Sequence, residues 1–172
     1  AITSEGTILV EELPEEELAD DFVFEERFCL SILPTATQYA RNAIFSGLMP
    51  MQISQMYPDL WVDEDEEEGK NLNEDYLIKT QIDRYRRKDT FSYFKLNNSV
   101  ESEKVVDRIG NLMGNDLNVL VVNFIDMLSH ARTESRMVRE LANDEKAYRS
   151  ITASWFRNSP VRELFRELAR RD

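Results

Sequence analysis

The chain has 172 residues, of which 42% are apolar and 31% charged. That is one ordinary domain's length with enough apolar side chain for a core, so wholesale disorder is excluded. Net charge is −12, and residues 1–75 hold 19 acidic against 3 basic side chains, a poor surface for a nucleic-acid duplex. A small phosphate-binding pocket remains compatible, because local charge decides there. No apolar stretch is long enough to span a membrane, and the start Ala1-Ile2-Thr3-Ser4-Glu5 lacks a secretory pattern. Cys29 is the only cysteine and His130 the only histidine, which excludes an internal disulfide, a thiol zinc finger and a multi-histidine cage. The unpaired cysteine and the absent signal point to the cytoplasm.

Ile8-Leu9-Val10 and Leu13 suit a short helix or strand end, and Pro14-Glu15-Glu16-Glu17-Leu18 suits a first helical turn. Phe22-Val23-Phe24 and Phe28 to Leu33 read as strands, the second covered on both faces and stopped by Pro34. After Thr35 and Thr37, Tyr39 to Phe45 forms a short helix that Gly47 ends. Met49 to Pro58 is a loop or short helical link. Residues 62–75 contain six consecutive acids, Asp63 to Glu68, and are expected to be a mobile loop.

A helix over Tyr76–Lys88 and a strand over 91–96 follow, then a helix over Glu101–Met113 with Val105, Val106, Ile109 and Leu112 on one face. Asn118 to Ile125 is the strongest buried-strand signal. Helices over roughly 133–152 and 160–171 close the chain, the last opened by Ser159-Pro160. Alternating strands and helices predict an α/β fold, a layered and mostly parallel sheet flanked by helices, as one domain over 1–172.

Two segments carry possible chemistry. In the first, Ser31 to Asn42, a strand ends at a threonine pair where a helix begins. The Thr37 hydroxyl would lie beside backbone N–H groups suited to an anion, with Arg41 one turn on. Such a hydroxyl becomes a nucleophile if a metal or base lowers its pKa. The plainer alternative makes Thr35 or Thr37 an N-cap, worth ~1 kcal/mol, and Arg41 a solvated helix residue. In the second, Asp126 ends the best strand and His130 follows four residues on, so both can face a divalent metal such as zinc. Here the alternative is a capping Asp and a half-exposed His. Two ligands are short of the three or four that zinc takes.

Other features are discounted. Met49, Met51 and Met56 suit packing, Trp61 and Trp155 are structural, and Asp63 to Glu68 lacks EF-hand spacing. Arg84-Tyr85-Arg86-Arg87-Lys88 is a solvated helix face, and no glycine-rich phosphate loop exists.

Together the two segments resemble a known family. Leu33-Pro34-Thr35-Ala36-Thr37 through Ser46-Gly47-Leu48-Met49-Pro50 resembles the nucleophile segment of the alkaline phosphatase superfamily, and Asp126-x-x-x-His130 resembles a zinc-ligand pair of that superfamily. The wording of both looks like the PglZ-type domain of PorX-like response regulators from Bacteroidetes, which join it to a phosphoacceptor receiver domain.

The resemblance implies a partial alkaline-phosphatase-like domain that hydrolyses phosphate esters with two zinc ions. Thr37 would be the metal-bound nucleophile, Asp126 and His130 would hold one zinc, and Arg41 is a candidate phosphate contact. The Pro-Thr-x-Thr similarity favours a diester as substrate, with nucleotide, oligonucleotide and lipid headgroup all left open. Signalling proteins and a second copy of the chain are possible partners, and no membrane is implied. The superfamily also needs an upstream Asp and a later Asp-His pair with a final His, none of which is found here. The expectation is therefore a piece of a longer protein, inactive alone, with weak or absent zinc. The rival expectation is a non-catalytic protein-interaction module on the same fold.

Overall fold

The computed structural model describes residues 2–3, 17–25, 27, 30, 32–33, 36–62, 72–96, 104–105 and 109–170. These group into two compact units, Ala1–Glu25 with Thr90–Asp172, and Glu26–Asp89.

The first unit holds a three-stranded sheet with β1 at Ile2–Thr3, β2 at Phe91–Leu96 and β3 at Leu117–Val122, in the order β1-β3-β2. β2 is rich in aromatic side chains and β3 in β-branched ones, the types that pack well on a pleated surface. They run parallel, from Phe91 beside Leu117 to Leu96 beside Val122, while β1 joins β3 antiparallel at Ile2 beside Asn118. A parallel pair cannot be closed by a tight turn, and the crossover between these strands includes helix α4, Ile109–Leu112.

The pair is pinned by a buried amide. Asn118 Nδ2 donates to the Leu112 carbonyl at 2.8 Å, and its Oδ1 accepts from Ser92 Oγ at 2.6 Å and Asn115 Nδ2 at 3.1 Å. At the start of β2, Thr90 N and Oγ1 both donate to Asp116 Oδ2, at 2.7 and 2.9 Å. Just before it, a hydrogen bond from Arg87 holds the Asp89 carboxyl below the usual carboxylate range.

Four helices follow β3: α5 Phe124–Glu134, α6 Arg136–Leu141, α7 Glu145–Asn158 and α8 Pro160–Ala169. The expected single helix over 133–152 is thus corrected. Ser135 Oγ accepts from Val138 N at 3.4 Å and Asp144 Oδ1 from Ala147 N at 2.7 Å, so each side chain caps a new helix start. α8 begins at Pro160 as expected, where the missing N–H costs nothing. Its Val161, Leu164 and Leu168 form a stripe that meets Leu18, Leu96, Val105, Ile109, Leu112 and Phe156 in the core.

The expected strand over 22–24 is also corrected: Phe22, Val23 and Phe24 are in no strand. The alternation is present, with Phe22 and Phe24 packed on the core and Val23 fully exposed, but no ladder accompanies it among the described residues. Phe22 meets the Phe165 ring edge-on instead, at 6.0 Å and 86°. Of the strand expected over 28–33, the described Leu30, Ile32 and Leu33 are in no strand, and Leu30 and Leu33 are exposed. Phe28, Cys29, Ser31 and Pro34 lie outside the described residues, as do Ile8 to Glu16, the acidic run 63–68 and residues 101–103 and 106–108 of the expected helix. Glu17 to Asp21 make one turn, with Asp21 N and Phe22 N donating to the Leu18 carbonyl.

The second unit contains α1 Thr37–Ser46, α2 Pro50–Met56, a 3₁₀ turn at Pro58–Leu60 and α3 Glu74–Arg84. α1 ends as the sequence predicts. Gly47 takes φ 64° and its N–H bonds the Ala43 carbonyl at 2.8 Å. A Cβ there would lie 2.8 Å from Gln81 Nε2, so both conformation and space call for glycine. The expected helix over 76–88 runs two residues earlier and ends at Arg84, because Arg86 turns left-handed at φ 54°.

Two stability effects follow. Leu164→Ala should destabilise the chain by about 2–5 kcal/mol, read as a lower urea midpoint at unchanged slope. Arg86→Gly should raise stability by about 1 kcal/mol, since glycine adopts the left-handed region without a Cβ clash.

Candidate functional site

Thr37 is the first residue of α1. The N-cap is Ala36, with φ −60° and ψ 137° and no side-chain capping bond, so the capping role expected of Thr37 falls to a residue that cannot cap. Thr35 lies outside the described residues. Tyr39 N and Ala40 N close the first turn onto the Ala36 carbonyl, both at 3.0 Å. The start of a helix presents N–H groups and a positive dipole end to whatever lies before it.

Arg41 lies one turn on, and it is not a solvated residue. Its Nη2 donates to Glu74 Oε2 at 2.7 Å and its Nε stands 2.6 Å from Glu74 Oε1. The Glu74 side chain is 0% exposed and that of Arg41 18%. Glu74 opens α3 after Asn73, where a helix dipole favours an acid. The sequence reading sets Glu74 in the acidic loop over 62–75, so neither its place at a helix start nor its complete burial is expected from it.

Three further buried side chains of α1 are polar as well. Gln38, Asn42 and Ser46 are buried, while Ile44 is 56% exposed. Gln38 Nε2 donates to the Val62 carbonyl, and Ser46 Oγ to the Asn42 carbonyl at 2.6 Å. Arg84 Nη2 donates to the Ser46 carbonyl. Tyr39 stacks on Trp61, with centroids 5.8 Å apart.

In the other unit, Asp126 and His130 belong to α5. β3 stops at Val122, earlier than expected, and Asp126 lies in the first turn of a helix rather than at a strand end. Asn123 N still bonds the Leu96 carbonyl at 3.1 Å, and then the chain turns. Phe124 stacks flat on Trp155 at 4.0 Å, and Tyr148 OH donates to the Ile125 carbonyl at 3.3 Å. The apolar run thus continues into helix packing, a case that periodicity cannot separate from a longer strand.

Helical spacing sets Asp126 Oδ1 3.6 Å from His130 Nε2, with side chains 50% and 65% exposed. One carboxylate and one imidazole on a single helix face are donors that zinc accepts, and they fit two of its four positions. Among the described residues, no three His, Cys, Asp or Glu side chains gather where one ion could sit. A shallow depression of about 590 Å³ along α7, lined by Ser150, Ile151, Ser154, Trp155, Asn158 and Ser159, includes none of the candidate residues.

With one histidine in the chain, zinc binding has an unambiguous reporter. Titrating the chain with Zn²⁺ should shift the His130 ring signals in an NMR spectrum, and Asp126→Asn should weaken the apparent affinity by about tenfold. An identical titration curve for the variant would remove Asp126 from the site.

A family model for the BREX system PglZ alkaline phosphatase-like domain matches residues 6–171. No curated protein matches the chain. No helix among the described residues is long and apolar enough to cross a membrane.

Proposed function

The chain belongs to the PglZ alkaline phosphatase-like family, and from that premise we propose that it is the nucleophile-bearing part of a zinc-dependent phosphodiesterase or phosphatase. The observation that carries this reading is that Thr37 opens α1, so that the described residues 36–49 hold one helix, begun at the threonine and stopped at Gly47. A substrate phosphate would meet the N-terminal end of α1, where N–H groups and the dipole favour an anion.

Thr37 would give up its hydroxyl proton and attack phosphorus, forming a phospho-threonine as the ester's alcohol leaves with a proton. Water would then attack the same phosphorus, its oxygen leaving with the phosphate or monoester and one of its protons passing to the Thr37 oxygen. Arg41 donates Nη2 to Glu74 with Nε beside the other carboxylate oxygen, and its guanidinium would meet a phosphate oxygen with a remaining N–H. Zinc, when bound, supplies Lewis-acid stabilisation of the charge that develops on the phosphoryl oxygens. Asp126 and His130 are the residues of this chain that would hold one ion, Thr37 is the proposed metal-bound nucleophile, and further donors would be required for a two-zinc centre. The proposed setting is a cytoplasmic two-component response regulator, with a receiver domain as partner.

In the intact protein, Thr37→Ala should lower turnover of bis-p-nitrophenyl phosphate by about 10³-fold or more, with the thermal midpoint unchanged. Undiminished turnover would remove the nucleophile assignment. An intact wild-type protein that neither hydrolyses the ester nor holds zinc would favour a non-catalytic signalling module instead.

A further inference from the structure

Burying a carboxylate removes several kcal/mol of hydration, and an ion pair seldom does better than an apolar pair of the same volume. Glu74 and Arg41 are therefore poorly explained as a device for stability. What an ion pair offers that apolar packing lacks is direction. One hydrogen bond, Nη2 to Oε2, with Nε 2.6 Å from Oε1 as an ion-pair contact, orients the guanidinium relative to α3.

Arg41 gains nothing from its own helix. It is the fifth of the ten residues of α1, past the first turn and short of the last turn where the dipole would favour a cation. Glu74, by contrast, is at the favoured end of α3. The α1 face around the pair is held by polar contacts, Gln38 to the Val62 carbonyl above it and Ser46 with Arg84 below. Such contacts fix both the rotation of a helix and its position along its axis, whereas an apolar stripe tolerates slip.

We infer that Glu74 is a positioning residue: through its buried ion pair with Arg41 it fixes the turn of α1 that begins at Thr37. Its consequence for catalysis rests on the nucleophile reading above. Thr37 precedes Arg41 by four residues, one helical turn, so rotation at Arg41 is carried to Thr37 with little attenuation.

The test uses the intact protein with Glu74→Gln, and with Glu74→Asp should the first fail to fold. Hydrogen exchange at the amides of Arg41 to Phe45 should quicken by about tenfold while those of α8 stay unchanged. Measured well below Tm, kcat on bis-p-nitrophenyl phosphate should fall by about tenfold or more with KM within about twofold, as expected for a misplaced reacting group. Unaltered exchange in α1 overturns the inference. A lowered Tm with unaltered kcat also overturns it, since the pair would then serve stability alone. Turnover that is absent in the wild type or survives Thr37→Ala defeats the hydrolase reading instead, and the exchange result then decides the inference by itself.

Discussion

Glu74 has no exposed surface, and a carboxylate without water needs a cation held at close range. Arg41 meets that need, and much of the second unit follows from it. For Arg41 to reach Glu74, α1 must turn its polar face inward, so Gln38, Asn42 and Ser46 are buried and Ile44 is left outside. Each buried group then needs its own partner, and the Val62 and Asn42 carbonyls accept from Gln38 and Ser46. The first unit has a neutral counterpart in Asn118, whose amide is satisfied by Leu112, Ser92 and Asn115. That amide holds the β2–β3 register, because a slip by one residue would separate Ser92 from Asn118.

Where local chemistry decides, the sequence can be read. Gly47, with a positive φ and no room for a Cβ, ends α1 where its residue type says it should. β2 and β3 stand where aromatic and β-branched side chains cluster, and their parallel pairing with a helical crossover places the unit among α/β folds. Pro160 opens the last helix.

Where tertiary contacts decide, the sequence misleads. The apolar run after Asn118 has no internal mark at Val122, and it is the Trp155 ring under Phe124 that turns the end of the run into helix. Phe22 and Phe24 alternate with Val23 as in a strand, yet they pack on the core without a ladder. Ser135 and Asp144 were legible only as polar residues inside a helical stretch, and their capping bonds divide it. For the site, it is the helix, where the sequence reading has a strand end, that places Asp126 and His130 on one face, four residues apart. Arg41 is different. Its partner is a glutamate 33 residues away, and no local pattern indicates that Glu74 is buried.

The charge distribution bears on the substrate in the same local way. Residues 1–75 carry 19 acids and 3 bases, and Thr37 and Arg41 lie within that stretch. A long polyanion binds by displacing counterions along many phosphates, each needing a cation of its own. This segment offers Arg27, Arg41 and Lys70, and Arg41 already shares its charge with Glu74. A small diester makes a lesser demand. One phosphate at the start of α1 would draw on the helix dipole and one edge of a guanidinium, while acids more than about 8–10 Å away are screened at physiological salt. The balance of charge thus favours a nucleotide-sized ester over an oligonucleotide as the proposed substrate.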